Sequence, residues 1–347
     1  MNTFFIVGVQ RSGTTLLSVM LGKHPDILME KRSIVFRIIT CFKNLYDLLP
    51  FNIQHPKDEF LQWLIENDKQ GRLADLIDLD AIAEHRNIRS LIQHSIDKKL
   101  KQHNKQLWGD KSPNLQHYLN DLTLLMPDTK IIHIIRDGRA NAYSMSRRSY
   151  QHLSLSAQYW VDGNIEGFVN QQILGEDRYK IIYYEQLLQN PEAEMKLVCQ
   201  FLNLPYSSEM LALADELTSS DKSYVKNFFD TQKINTWKQA LTNNQIKQVE
   251  AIQRPLLEKL NYALVNPVKY QPLSLTRRIL YNQMDNFKQL FRSKRIGMKN
   301  REKVLLRISL KNRLKIFIKT IVSDFFSRPI FKTLFSQLFY TQKYFRK

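Results

Sequence analysis

Within eighteen residues, Phe4 to Leu21, the hydrophobic pattern of this chain switches from continuous to helical, and few architectures accommodate that switch. An unbroken apolar run, Phe4-Phe5-Ile6-Val7, breaks at Gly8-Val9-Gln10-Arg11-Ser12-Gly13, and apolar residues return at Leu16, Leu17, Met20 and Leu21. Such a change of period spells a strand, a tight loop and a helix. Backbone N–H groups at the start of the new helix then face whatever anion sits on the loop. The interval from Gly8 to Gly13 matches the nucleoside-triphosphate P-loop, but that loop continues with Lys and then Ser or Thr, whereas here Thr14-Thr15 follows. Without the lysine the loop lacks the charge that tracks a γ-phosphate, so ATP or GTP hydrolysis is not the first expectation. The cation stands earlier, at Arg11.

Two further apolar runs, Lys130-Ile131-Ile132-His133-Ile134-Ile135 and Tyr179 to Tyr183, read as buried parallel strands, each followed by a helical pattern. Strands alternating with helices predict an α/β fold: a P-loop-type, doubly wound parallel sheet flanked by helices. In such sheets ligands sit at the carboxyl ends of strands, which favours Arg136 and the loop around Arg11. Leu107 to Pro113 reads as a short segment ending in a turn, and Leu115, Leu119, Leu122 and Leu125 follow on a helix. Between the first strand and this segment, about residues 31–103, the chain has helical character. Asp78 to Asp80 there reads as an N-cap for a helix through Ile82, Ile88, Leu91, Ile92 and Ile96. This helical insertion suits acceptor recognition or plain space filling. The predicted organisation is one domain over 1–265 that carries the insertion, a linker over 266–275, and a basic helical extension over 276–347.

Charge marks off that extension. Of 51 Lys+Arg and 33 Asp+Glu, 20 and 3 respectively follow residue 266, so the net +18 lies almost wholly in the last quarter of an otherwise neutral chain. Lys303, Arg307, Lys311, Lys315 and Lys319 recur every fourth residue, and Leu306, Leu310, Leu314, Ile318 and Val322 run parallel to them. Such a basic amphipathic helix is the sign of a segment lying in an anionic membrane surface. The other readings are that its apolar row packs on the domain, or, least favoured, that it binds nucleic acid. Two cysteines, Cys41 and Cys199, are too few for a disulfide framework, which suits a reducing compartment. The chain enters its first strand at once and has no charge-free apolar run of about 18 residues. A cytoplasmic protein, peripheral on the inner face of the membrane, is therefore expected.

The order Arg11-Ser12-Gly13-Thr14-Thr15-Leu16-Leu17, with His24-Pro25 beyond it, resembles the phosphosulfate-binding loop of sulfotransferases that use 3′-phosphoadenylyl sulfate (PAPS). Further signatures follow in the family's order: Trp108-Gly109-Asp110-Lys111-Ser112-Pro113, then Ile134-Ile135-Arg136-Asp137-Gly138-Arg139 with Ser144 eight residues after Arg136, then Tyr183-Tyr184-Glu185-Gln186-Leu187-Leu188. They are most similar to the protein-tyrosine sulfotransferases and their bacterial relatives, from about Thr3 to Tyr262. The resemblance implies that Arg11 assists the leaving phosphate while Ser12, Gly13, Thr14 and Thr15 hold the 5′-phosphate. It makes Lys111 a stabiliser of the transferring group and Tyr184 a contact of the cofactor. It also implies that Arg136, Ser144 and Arg148 bind the 3′-phosphate. Ser144 and Arg148, four apart on one helix face, suit a bidentate and a single hydrogen bond. Ser220 stands where the family has a serine facing the sulfuryl group, in a loose register, and Asn235-Thr236-Trp237-Lys238 is similar to another cofactor segment.

The general base departs from the family pattern. In the tyrosine sulfotransferases a glutamate follows His-Pro at a fixed interval; here that count ends on Arg32, with Glu30 two residues before it. A loop shorter by two residues puts Glu30 beside the acceptor, and Asp110 and His133 are the alternatives. Sulfuryl transfer asks a protein to align acceptor oxygen, sulfur and leaving oxygen and to offset charge on the leaving phosphate, which Arg11, Lys111 and the loop N–H groups can do without a metal. The expected function is transfer of a sulfuryl group from PAPS, as co-substrate, to a hydroxyl of a glycan, glycolipid or small metabolite. A protein tyrosine ranks behind these because the family's secretory members carry a membrane anchor not found in this sequence. The alternatives are a P-loop kinase-like phosphotransferase using Mg²⁺ and a non-catalytic, membrane-associated nucleotide-binding protein.

Overall fold

The computed structural model describes residues 2–30, 35, 36, 39, 78, 81, 88–149, 151–212 and 230–292. Most of the predicted insertion, Arg32, Ser220, Cys41 and the basic row from Lys303 to Val322 lie outside the described residues. The chain divides into two compact units, one made of Met1–Arg136 and Gly163–Ile234, the other of Asp137–Asp162 and Asn235–Lys347.

The first unit is built on a parallel sheet. Its strands are β1 (Thr3–Val7), β2 (Ile27–Glu30), β3 (Leu107–Lys111), β4 (Lys130–Ile135) and β5 (Tyr179–Tyr183), in the order β2-β3-β1-β4-β5. Every neighbouring pair runs parallel. In chain order, the helices of the two units are α1 (Thr14–Gly22), α2 (Ile88–Gln102), α3 (Leu119–Leu125), α4 (Gly138–Ser149), α5 (Leu153–Leu174), α6 (Tyr184–Gln189), α7 (Pro191–Leu202), α8 (Gln232–Ala240), α9 (Asn243–Lys259) and α10 (Leu275–Arg292).

Why β1 is apolar throughout follows from its central place. Successive side chains point to opposite faces of a sheet, and both faces here are covered. Phe5 and Val7 join a buried cluster with Trp108, Ile131, Leu91, Ile92 and Leu122, supplied in part by α2 and α3. Phe4 and Ile6 join another with Leu17, Ile132, Leu187 and Val198, supplied in part by α1, α6 and α7. A strand with two buried faces loses its alternation and reads as a continuous run. From β1 the chain leaves towards β2 and β3, and from β4 towards β5 on the other side, so the crevice between the carboxyl ends of β1 and β4 is the switch point where such sheets bind ligands.

Two strands were not predicted as such. Leu107–Lys111 is an interior strand, paired with β1 and β2, and Ile27–Glu30 is an edge strand. The predicted cap at Asp78 to Asp80 meets only Asp78 among the described residues. That residue contacts α2 from the side: its backbone N–H bonds Ser95 Oγ at 2.9 Å and its carboxylate accepts from Lys98 Nζ at 2.6 Å.

The second unit is helical, with α4, the first part of α5, α9 and α10 among its elements. Its apolar interior includes Ala142, Leu155, Val249, Ile252 and Leu273. Trp237 packs with Ala140, Leu241 and Ile246. Thr242 and Gln245 form a reciprocal capping box that starts α9.

Candidate active site

Because all five strands are parallel, their carboxyl ends meet at one edge of the first unit. Glu30 ends β2 and Lys111 ends β3. Arg136 follows β4 and Tyr184 follows β5, while the loop from Gly8 to Gly13 follows β1. The fold therefore gathers, along one sheet edge, residues spread over more than 170 positions of sequence.

The loop is a tight one. Gly8 lies against β4, where an added Cβ would stand 2.6 Å from the Ile134 carbonyl oxygen. Ser12 N–H closes a turn on the Val9 carbonyl at 3.2 Å. Arg11 takes a left-handed conformation with φ +71° and Gly13 another with φ +104°. No side chain caps α1, whose first N–H groups and positive dipole end lie at Gly13 and Thr14. Ser12 and Thr14 are buried, Arg11 and Gly13 partly so, and Thr15 is exposed.

Glycine at position 13 is required twice over. Its φ suits glycine, and an added Cβ would lie 2.4 Å from Tyr184 Cδ2. Tyr184 is itself held from behind: the Arg136 guanidinium stands 4.6 Å from its ring centroid. Arg136 Nη1 donates to the Arg11 carbonyl at 3.3 Å and Nη2 to the Lys233 carbonyl at 3.2 Å. Thus the two arginines that the sequence assigned to opposite ends of the donor are joined through backbone at the switch point. Burial pushes the Tyr184 hydroxyl above the usual phenol range, against the opposing pull of Arg136, so the side chain is a neutral phenol.

The three base candidates occupy different environments. His133 is fully buried within β4, with Tyr179 Oη 2.9 Å from its Nδ1, and burial pushes it down to about 3, partly opposed by a bond with Asn164. It is a neutral packing residue. Asp110 is fully buried in β3, and burial raises it to about 8. The Ser112 hydroxyl, donating to Oδ1 at 3.0 Å, pulls it back down, while the charge of Glu30 adds to the rise. At neutral pH it is mostly a carboxylic acid. Glu30 pairs in register with Asp110 across β2 and β3 and is partly exposed. Its carboxylate accepts from Lys99 Nζ of α2 at 3.1 Å. Lys99, absent from the sequence-based expectations, sits 69 residues from Glu30 in a lysine-rich helix end, and no local pattern sets it apart from its neighbours.

Ser144 and Arg148 belong to the second unit, on α4, with Ser144 partly exposed and Arg148 exposed. The start of α4 is held by an ionic group. Asp137 accepts from the Arg139 backbone N–H at 2.8 Å and from its guanidinium, and Arg139 also donates to Glu250 at 2.7 Å. The Arg139 guanidinium lies 4.3 Å from the Trp237 ring centroid. Asp137 is thus the cap and ion partner of Arg139.

The residues at the sheet edge fit an anionic nucleotide. The donors there are cationic side chains and uncapped N–H groups, and the space at Gly13 admits no side chain. The protein resembles known ones in the same sense. A model of the sulfotransferase family matches residues 3–208. Protein-tyrosine sulfotransferase A of Caenorhabditis elegans is 26% identical over 294 residues, 77% of this chain and 69% of that protein. Protein-tyrosine sulfotransferase 1 of Danio rerio is 26% identical over 219 residues, 61% of this chain and 56% of that protein. In fold, the sulfotransferase domain from the curacin biosynthetic pathway superposes with a TM-score of 0.53 at 20% identity, covering 75% of this chain and 98% of that domain. With the family model matched over more than half its length, the chain belongs to the sulfotransferase family and is a PAPS-dependent enzyme on a P-loop-like, nucleotide-binding fold.

Proposed function

We propose that this enzyme transfers the sulfuryl group of PAPS to a tyrosine hydroxyl of a protein or peptide. The observation that carries the transfer chemistry is the meeting, at one sheet edge, of the β1–α1 loop, Lys111, Glu30 and the Arg136–Tyr184 stack. Relatives named as protein-tyrosine sulfotransferases, one aligned along 77% of this chain, support a phenolic acceptor over the glycan, glycolipid or small metabolite expected from sequence.

When bound, PAPS supplies an activated sulfuryl group on a phosphate leaving group. The loop N–H groups at Gly13 and Thr14 and the Arg11 and Lys111 side chains offset negative charge at this edge. Glu30 takes the proton of the acceptor hydroxyl, and Lys99 fixes its carboxylate. Tyr184 closes the loop from the side and is held by Arg136. Ser144 and Arg148 keep, on the resemblance alone, the role of 3′-phosphate ligands. The role of Ser220 rests on the same ground.

The acceptor is tested by incubating the full chain and PAPS with a tyrosine peptide rich in acidic residues, an oligosaccharide and a small phenol in parallel, and reading sulfated product by mass. Sulfated peptide is expected, and its phenylalanine counterpart should stay unmodified. Transfer to the oligosaccharide with none to the peptide overturns the tyrosine reading.

A further inference from the structure

Among the described residues, helix α10 is fastened to its own unit along one face. Arg278 Nη1 donates to Asp162 Oδ2 at 2.9 Å. Tyr281 stacks on His152 at 3.6 Å between centroids, and Asp285 accepts from the His152 backbone N–H at 2.6 Å. These residues stand at i, i+3 and i+7, a single helical face. On a face turned away from it, Leu280 is 55% and Met284 41% exposed, with Arg277 exposed one turn before them. Large apolar side chains displayed in a stripe on a well-anchored helix mark a surface that something covers.

The chain's own charge narrows the occupant. In the sequence the stripe's spacing continues at Phe287 and Phe291, and residues 293–347 then hold 15 Lys+Arg against 2 Asp+Glu. A second copy of the chain would bring the same positive charge to the contact, which works against self-association. A nucleic acid would answer the charge but offers no hydrocarbon to cover leucine and methionine. An anionic bilayer answers both at once, and among the described residues no helix is long and apolar enough to cross it, so the contact is with its surface. We infer that the Leu280 and Met284 face of α10, flanked by Arg277, docks on an anionic lipid surface by inserting its apolar side chains among the headgroups.

The test uses the full chain and vesicles of phosphatidylcholine, alone or with ~30 mol% phosphatidylserine, read by co-sedimentation. The parent should bind the serine-containing vesicles and leave the others in the supernatant. Leu280→Ser with Met284→Ser, which changes no charge, should weaken that partitioning at least about tenfold, since each side chain loses its burial in the interface. Its melting temperature should match the parent's, because both positions are exposed. Should the double variant unfold, Leu280→Gln alone serves, with a smaller loss expected. Equal binding of parent and variant, or equal binding of the parent to both vesicles, overturns the inference. So does a sedimentation-velocity result in which the parent dimerises and the variant does not, since the stripe would then belong to a second copy.

Discussion

At Gly13 a single hydrogen atom in place of a methyl group keeps the loop and Tyr184 in contact. Gly13→Ala puts a Cβ 2.4 Å from Tyr184 Cδ2 in a backbone conformation with φ +104°, so either the ring or the loop moves. We expect a folded protein whose affinity for adenosine 3′,5′-bisphosphate, measured by calorimetry, falls by at least about tenfold, from a strain on the order of 1–3 kcal/mol. Arg11→Ala and Lys111→Ala should each lower turnover on the order of 10²-fold with the fold intact, and normal turnover in either would remove it from the chemistry. Asp110 gives a pH prediction. Its carboxyl titrates at about 8 in the native protein against 3.8 ordinarily, so between these values the native state holds a proton that the unfolded chain has released. Stability contributed by that proton is whole below about pH 4 and is lost as pH rises towards about 8. Asp110→Asn, which keeps an oxygen for Ser112, should therefore match the parent's melting temperature near pH 4 and exceed it near pH 8; parallel curves at the two pH values would contradict this. How legible these residues were depends on what fixes them. Arg11 and Gly13 announce themselves by local order, and Arg136 by its place after an apolar strand. The depth at which His133 and Asp110 are buried, and the Lys99–Glu30 pair, arise only when distant segments meet.

Strands were legible where their composition, more than their burial, sets them apart: β5 was read with two of its five residues buried, and β3 was missed with four of five buried. β1, β4 and β5 showed as apolar runs, and β1 is buried on both faces. The edge strand Ile27–Glu30 is four residues with one fully buried, too short and too wet to show a period. Leu107–Lys111 carries Gly109, Asp110 and Lys111, so its composition hides a strand that its neighbours define: a Cβ at Gly109 would lie 2.4 Å from Phe4 Cζ. Helices α4 and α9 are joined by buried charge as well as by apolar packing. Glu250, fully buried, accepts from Arg139 Nη1 at 2.7 Å and from the N–H groups of Val265 at 2.8 Å and Asn266 at 3.0 Å. Removing a carboxylate from such a group leaves Arg139 and two N–H donors without their acceptor. Glu250→Ala should cost about 3–5 kcal/mol in a denaturant titration, with Glu250→Gln costing less because one acceptor oxygen remains. A loss under about 1 kcal/mol would mean that water replaces the carboxylate.

Across the whole molecule, fold class and charge distribution were the most legible features, because both are sums over many residues and survive errors at any one. Acceptor identity was the least, since it depends on a surface that no motif spells. A donor preference belongs to this scale as well, because a ligand that binds only the folded chain raises its melting temperature in proportion to occupancy. Adenosine 3′,5′-bisphosphate at about 100 times its Kd should add about 2.7 kcal/mol of stability, while ATP with Mg²⁺ at equal concentration should add far less; the reverse ranking would return the loop to phosphotransferase chemistry. The pairing of β1 has one more consequence. Thr3 lies opposite Trp108 and Phe4 opposite Lys130, so β1 has neither of its partner strands until more than a hundred further residues are made. At roughly 5–20 residues per second that is a wait of about 5–20 s, during which a nascent Phe-Phe-Ile-Val segment stands uncovered, and a chaperone that grips short apolar stretches has there its natural handhold.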